Sequence, residues 1–504
     1  MIDTLTTDRS PAEIPPDTVD HTDNPHHATR WLILGVIALA QLIVVLDATI
    51  VNIALPTAQE SLGFSNDSRQ WIVTGYALAF GSLLLIGGRL SDLVGRRPMF
   101  IAGLIGFAAA SAVGGAAQNF EMLVGARVAQ GVFGALLAPA ALSLLTVTFT
   151  DAAERARAFA IFGAISGGGG AIGLILGGAL TEYLSWRWCL YVNVPLAVLA
   201  VVGAVLLLKK QPRPEDAKGI DVPGSLVVVA GLVSFVYGLA SAESDGWSSA
   251  TTLVCIGLGL ALLAVFAVVE SRVADPLLPL HIVWDRTRGG SFLVVAIVGI
   301  GLFAVFLFLT YYVSLTLGYS PLKTGFSFVP MILGIMVTAT GSAGLVAKIG
   351  PRIPVLVGML VAAVGMVLFA QLDLESTYAA HILPGLVITG LGVGLSMAPA
   401  FSAATSGVDA EHAGVASASV NTFQQIGGSI GTAVLSAFAA TATSDYLVGK
   451  APSEANQALA AMHGYTTVFW WSAGIFAVGA LLCGALLRSG PVFLDPDAAP
   501  VLGH

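Results

Sequence analysis

The stretch Gly88-Arg89-Leu90-Ser91-Asp92-Leu93-Val94-Gly95-Arg96-Arg97-Pro98 lies between two long apolar runs, at about 70–90 and 98–117. Four charges and two glycines fall within eleven residues of a chain that is otherwise mostly hydrocarbon. Each flanking run is long enough to cross a hydrocarbon layer of about 30 Å at about 1.5 Å per residue, so the stretch reads as a turn between two membrane spans.

The rest of the chain repeats that pattern. It has 504 residues, 56% of them hydrophobic and 10% charged, with a mean hydropathy of +0.86. A water-soluble core cannot absorb so much apolar surface. The runs do not alternate apolar and polar residues, which excludes a barrel. The fold class is an all-α polytopic membrane protein. The 58 glycines suit it, because helices in lipid associate through small residues that let backbones approach. The net charge of −8 says little about partners, since most charges lie in loops. Cys189, Cys255 and Cys483 are far apart, show no metal or redox spacing, and read as small buried apolar residues.

Fourteen spans are predicted, at about 31–55, 70–90, 98–117, 122–147, 158–183, 187–208, 221–241, 251–270, 291–315, 324–348, 354–372, 379–404, 414–440 and 467–487. An even number puts both termini on one side. With the N-terminus inside, seventeen Lys and Arg residues fall in inner segments and four (Arg69, Arg187, Lys323 and Lys450) in outer loops, while Arg127 lies within a span. This asymmetry predicts cytoplasmic termini in a cell (cytoplasmic or inner) membrane. Trp31, Trp71, Trp186, Trp188, Trp247 and Trp284 fall near span ends, as an interfacial aromatic belt requires.

An internal repeat runs at an offset of 255 to 260: Gly134-x-x-x-Ala138-Pro139-Ala140 recurs as Gly394-x-x-x-Ala398-Pro399-Ala400, and Leu90, Gly95 and Arg97 recur as Leu345, Gly350 and Arg352. Ala347 stands where Asp92 would align. The repeat predicts a 6+2+6 arrangement. A disordered cytoplasmic tail (1–30) precedes a six-helix bundle (31–208); a linker and inserted helix pair (209–290) lead to a second bundle (291–487) and a cytoplasmic tail (488–504). The first tail is too long and too acidic for the leading segment of a cleaved signal peptide. Two repeats facing each other across a central site is a transporter architecture.

Ionisable residues within the spans are scarce and costly, so each is a functional candidate. Asp47 lies about sixteen residues in from Trp31, in the outer half of the bilayer. A carboxyl out of water binds a proton more readily than one in solution, which suits a proton carrier. Arg127, about six residues past Glu121, is at similar depth, and its permanent charge needs an acceptor, for which Asp47 is the obvious candidate. A static structural pair is the alternative. Asn52, five residues after Asp47, is expected to bond to a neighbouring helix. The glycines of the fifth span, among them Gly173, Gly177 and Gly178, predict a hinge and a face that slides on a helix of the other half. Asn52, Gln130, Tyr311, Tyr312, Phe328, Met331, Gln424 and Gln425 are candidates to line a cavity for an amphipathic cargo. There is no nucleophile–base pair, metal cluster or nucleotide loop, so the reading is not an enzyme, with no cofactor, and the energy comes from an ion gradient or from none.

These residues resemble a known family. Gly88-Arg89-Leu90-Ser91-Asp92-Leu93-Val94-Gly95-Arg96-Arg97 resembles the loop 2–3 signature of the major facilitator superfamily, and Arg127-x-x-Gln130-Gly131 its helix 4 signature. Asp47-x-Thr49-x-Val51-Asn52-x-Ala54-Leu55-Pro56, Ser185-Trp186-Arg187-Trp188 and Asn193-Val194-Pro195 are similar to the fourteen-helix drug:proton antiporter branch (EmrB/QacA-like). The fifth span reads Gly173-Leu174-Ile175-Leu176-Gly177-Gly178, without the proline usual in the antiporter signature. The resemblance implies alternating access, with export of amphipathic or cationic compounds against inward proton flow. Asp47 and Arg127 would couple protons, and Gly88, Arg89, Asp92, Gly95, Arg96 and Arg97 would act as a conformational latch. The implied partners are the lipid bilayer, an amphipathic small molecule and protons, with no nucleic acid, for a monomeric multidrug efflux transporter. An exporter of a lipid, an endogenous metabolite or one antibiotic keeps the same fold. A membrane sensor without net transport is the reading from another class, disfavoured by short termini without a signalling domain.

Overall fold

The computed structural model describes residues 27–65, 68–149, 151–209, 221–273, 276–406, 408 and 413–490. Fourteen helices in it are long and apolar enough to cross a membrane. They are α1 (Arg30–Leu62), α2 (Gln70–Ser91), α3 (Arg96–Gly115), α4 (Phe120–Thr148), α5 (Arg157–Tyr183), α6 (Trp188–Leu207), α7 (Val222–Asp245), α8 (Ala250–Glu270), α9 (Arg286–Thr316), α10 (Pro321–Ser342), α11 (Arg352–Phe369), α12 (Tyr378–Thr405), α13 (Val415–Leu447) and α14 (Glu454–Leu486). Helices are the expected solution, because in lipid each backbone N–H and C=O must find its partner within the segment.

Several helices outrun the predicted spans. α1 continues past Pro56, where the sequence suggested a stop, and ends at Gly63 in the left-handed conformation (φ +69°). The proline removes one N–H from an otherwise apolar helix, and packing on neighbours holds the rest. α14 starts at Glu454, well before residue 467, because Ser453 caps it by accepting from the Asn456 N–H at 3.2 Å.

The two halves are packed alike. In the first, α4 lies on α2 and α3, α1 on α5, and α6 on α1 and α3. In the second, α12 lies on α10 and α11, α9 on α13, and α14 on α9 and α11. The sequence repeat marks the same joint twice. A Cβ at Gly134 would stand 3.0 Å from the Phe80 ring on α2, and one at Gly394 would stand 2.3 Å from the Ile335 carbonyl on α10. Gly95 and Gly350 both break their helices at positive φ (109° and 78°), a conformation that side-chain-bearing residues resist.

Two seams join the halves, α2 on α13 and α5 on α10, and they exchange under the same pseudo-twofold. The inserted α7 and α8 form a hairpin whose α7 packs on α13 and α2, so it covers one seam only. Leu78 of α2, Leu232, Val236 and Leu239 of α7, and Ala433 of α13 make an apolar cluster there.

The face carrying Arg30 and the Gly88–Pro98 turn is termed the turn face below, and the opposite one the far face. On the far face the halves are fastened. Tyr311 Oη of α9 donates to Gln59 Oε1 of α1 at 2.6 Å, and Arg69 lies 4.1 Å over the Tyr311 ring. Glu182 at the end of α5 accepts the Leu322 N–H at the start of α10 at 3.0 Å. Tyr311 sits between two wide π-type turns, Val305–Leu309 and Tyr312–Thr316, which re-aim side chains within an otherwise regular helix.

Candidate functional site

Five helices of the first half converge on Asp47, which is fully buried. Arg127 Nη1 donates to Asp47 Oδ2 at 2.6 Å. Gln130 Nε2 and Asn193 Nδ2 each donate to Asp47 Oδ1 at 2.8 Å. Arg127 also donates through Nε to the Ile72 carbonyl at 3.2 Å and through Nη1 to Gln130 Oε1 at 2.8 Å. Its guanidinium lies 4.3 Å over the Tyr76 ring. Gln130 Nε2 reaches Ser111 Oγ at 2.8 Å. The cluster thus draws on α1, α2, α3, α4 and α6.

Local sequence explains how this closes. Arg127 and Gln130 are three apart on α4 and share one helix face. Asn193 opens the main part of α6, after a break that separates it from the short turn Trp188–Tyr191. Pro195 supplies no N–H to continue that turn. The pair is neutral as a whole and hydrogen-bonded on both sides, the condition under which buried charges are tolerated. A proton added to Asp47 would break the pair and leave the site with one positive charge.

Asp47 and Arg127 are therefore brought together, and Gln130 belongs with them rather than to a cavity wall. Asn193, Ser111 and Tyr76 are members the sequence reading did not assign; the only hint was the motif Asn193-Val194-Pro195. Asn52 is corrected: it donates to the Ala48 carbonyl of its own helix at 3.0 Å, not to a neighbour. An amide there can satisfy itself within its own helix, so no partner helix is required.

The fifth-span glycines are also corrected in part. A Cβ at Gly173 would meet Thr49 Oγ1 at 2.1 Å, and one at Gly177 would meet Ile50 Cγ1 at 2.7 Å, so both face α1 of the same half. Gly178 alone of the three meets the other half, where a Cβ would be 2.6 Å from Leu322 Cα and the Pro321 carbonyl.

Of the cavity candidates, Tyr312, Phe328 and Met331 are fully buried in the second half's core. Tyr312 Oη donates to the Asp373 carbonyl at 2.7 Å, and Phe328 packs on Phe306. They are open to no cavity in this conformation. Gln424 and Gln425 are half-buried on α13. The Gln424 carbonyl is where a Cβ at Gly299 would fall, and Gln425 Cβ lies against Gly81 at the α2–α13 seam.

In the turn, Gly95 ends its helix and Arg96 opens α3. Arg89 Nη2 donates to the Pro276 carbonyl in the α8–α9 connector at 2.9 Å. Arg97 Nη2 donates to the Val205 carbonyl of α6 at 3.2 Å. Gly88 faces Pro139 of α4. The side chain of Asp92 lies outside the described residues.

Two pseudo-symmetric six-helix halves, the first holding a buried ion pair among its described residues, define a polytopic membrane transport protein. The chain belongs to the Major Facilitator Superfamily, which matches it over residues 37–432. It is 48% identical over 463 residues to a puromycin resistance protein of Streptomyces alboniger, covering 91% of this chain and 92% of that one. It is 36% identical over 426 residues to the cephamycin export protein CmcT of Amycolatopsis lactamdurans, covering 84% and 87%. The fold is similar to the crystal structure of a bacterial homologue of the human lysosomal transporter Spinster in an inward-facing, unoccupied conformation. The TM-score is 0.61 at 16% identity, covering 91% of this chain and 96% of that one.

Proposed function

We propose that the protein exports antibiotic-like amphipathic or cationic small molecules in exchange for protons, by alternating access of its two halves. The observation that carries this is the closed Asp47–Arg127 pair, with both side chains at least nine-tenths buried and five helices contributing. It is the only ion pair buried at membrane depth among the described residues, and its opening is controlled by a single proton. The far-face fastening through Gln59, Arg69, Tyr311, Glu182 and Leu322 is the closed gate of one of the two states.

A single preferred antibiotic rather than a broad set is the narrower form of this reading, supported by relatives named for puromycin resistance and cephamycin export. The lysine and arginine asymmetry supports cytoplasmic termini in the inner membrane. The proton gradient is the energy source, without an organic cofactor, and the monomer is the working unit.

The test is transport by the purified full-length protein in liposomes with an imposed pH gradient, following puromycin, a cephamycin and a fluorescent cationic amphiphile in parallel. Gradient-driven movement of one or more compounds, lost in Asp47→Asn, supports the proposal. Movement indifferent to the gradient, or none of any compound while lipid is translocated, refutes it.

A further inference from the structure

A second pair of buried carboxyls lies away from the Asp47 site, at the turn-face end of the inserted hairpin. Asp221 precedes α7 and is 8% exposed; Glu270 ends α8 and is 3% exposed. Both carboxyls are held by backbone N–H groups, and Glu270 has that of Leu277 beside it as well as that of Leu278. Asp221 Oδ1 accepts from Gly224 at 3.0 Å, and Glu270 Oε2 accepts from Leu278 at 3.0 Å. The other two oxygens, Asp221 Oδ2 and Glu270 Oε1, are buried with no donor among the described residues. They converge over Gly224, where a Cβ would stand 2.0 Å from the first and 3.1 Å from the second. Both oxygens lie within 3.1 Å of that one point, which sets the two carboxyls facing each other. Gly224 is the residue that lets the Asp221 carboxyl fold over the helix end toward Glu270.

Two ionised carboxylates cannot satisfy each other, since both only accept. Buried acceptors without donors are costly, and like charges at this range add to the cost. One proton taken up from water removes both penalties. It turns two orphan acceptors into one short O–H···O⁻ hydrogen bond and leaves the pair with a single negative charge. No described cation supplies an alternative. On α2, Arg89 is engaged with the Pro276 carbonyl. Arg272, just past α8, is exposed. α13 carries no charged residue among its described positions before Asp445, and the acids of α7, Glu243 and Asp245, are at its far-face end. Asp216, Lys218, Asp275, Glu411 and His412 lie outside the described residues.

We propose that Asp221 and Glu270 form a second proton-binding site, in which one shared proton ties the α7–α8 hairpin to the connector that rests on Arg89. Glu270 holds Leu278, and two residues earlier Pro276 receives Arg89 of the charged turn. Loss of the proton leaves two facing carboxylates and loosens the connector at the point where the hairpin meets that turn. The site is distinct from Asp47 and works whether or not Asp47 couples transport.

The test reads protonation directly and needs no transport. Infrared difference spectra of the purified full-length protein at about pH 5 are expected to show a carboxylic-acid carbonyl band lost in Asp221→Asn and in Glu270→Gln and kept in Asp47→Asn. In parallel, thermal unfolding followed from about pH 4.5 to about pH 8 is expected to fall in the wild type, because the proton-bound form is the stabilised one and is lost as pH rises. Asp221→Asn carries an amide N–H that replaces the shared proton, so its unfolding temperature is expected to stay flat over that range. The absence of such a band, or a band unaffected by both substitutions, overturns the proposal. So does a wild-type stability that rises with added Mg²⁺ or Ca²⁺ and loses that rise in Asp221→Asn, which would make the pair a cation site.

Discussion

Replacing Asp47 by Asn changes one atom and removes one charge, and the surrounding donors fix the consequence. Three of them converge on the carboxylate: Arg127 on Oδ2, and Gln130 and Asn193 on Oδ1. An amide offers one oxygen and one NH₂. If its oxygen faces Arg127, its nitrogen meets the two amide donors; if it faces those, its nitrogen meets the guanidinium. Either way a buried donor loses its acceptor, and Arg127 keeps its charge without a counterion. Breaking a buried pair this way costs about 3–5 kcal/mol. Arg127 retains the Ile72 carbonyl, Gln130 Oε1 and the Tyr76 ring, which places the expected value near the lower end, about 3 kcal/mol, or roughly a hundredfold in equilibrium. Adding Arg127→Gln removes the orphan charge, so the double variant is expected to be more stable than the sum of the two single costs by about 2–3 kcal/mol. Reversible unfolding of the four proteins in mixed micelles measures this. Efflux from proteoliposomes measures the functional effect: Asp47→Asn is expected to lose accumulation driven by a pH gradient and keep downhill exchange. Costs that add to within about 0.5 kcal/mol, or undiminished gradient-driven efflux, refute the reasoning.

Other perturbations test other parts. Tyr311→Phe removes the hydroxyl that donates to Gln59 and is expected to weaken far-face closure by about 1 kcal/mol; spin labels at Glu60 and Lys323, exposed on opposite halves, should then show a larger fraction of long distances. Gly178→Ala puts a methyl 2.6 Å from the backbone of Leu322, which cannot yield as a side chain could, so the same labels should report a far face held open and turnover should fall sharply. Asn193→Ala leaves Asp47 Oδ1 with Gln130 alone; it is expected to cost about 1–3 kcal/mol in unfolding and to slow gradient-driven efflux without abolishing it, because Arg127 still holds Oδ2.

Much of this was legible because lipid makes each choice stark. Apolar length alone located the fourteen spans, and the scarcity of charge singled out Asp47 and Arg127 as mutual partners. The remaining members of the site were hidden by being ordinary. Asn193, Ser111 and Tyr76 are uncharged polar residues in helices that hold many such residues, and only their meeting in space distinguishes them. The second-half candidates failed for a related reason. Tyr312, Phe328 and Met331 have the chemistry of a greasy cavity lining and of a core alike, and periodicity does not separate the two in helices that are apolar on most sides. Gly173 and Gly177 showed the need for close approach but not the partner, which proved to be α1. Asp221 and Glu270 stand at opposite ends of a hairpin, 49 positions apart; nothing in either local stretch shows that they face each other.

The packing of the two halves is symmetric, but their chemistry is not, and this bears on what can be exchanged. The described residues of α9 to α14 contain no buried carboxylate or guanidinium to match Asp47 and Arg127. The buried site therefore carries no net charge when Asp47 is ionised and one positive charge when it is protonated. A monocation bound in the ionised state restores the same net charge that a proton gives. The two loaded states are then electrically alike, and exchange of one for the other moves no net charge across the membrane. A neutral drug leaves them unlike by one charge, and its exchange carries that charge through the membrane potential, worth about 2.3 kcal/mol per 100 mV. Proteoliposomes with the pH gradient and the potential set independently separate the cases. Efflux of a monocationic amphiphile should follow the pH gradient and ignore the potential, whereas efflux of a neutral compound should respond to both. Equal voltage sensitivity for the two would mean that more than one titrating group is cycled per turnover, and coupling could not rest on Asp47 alone.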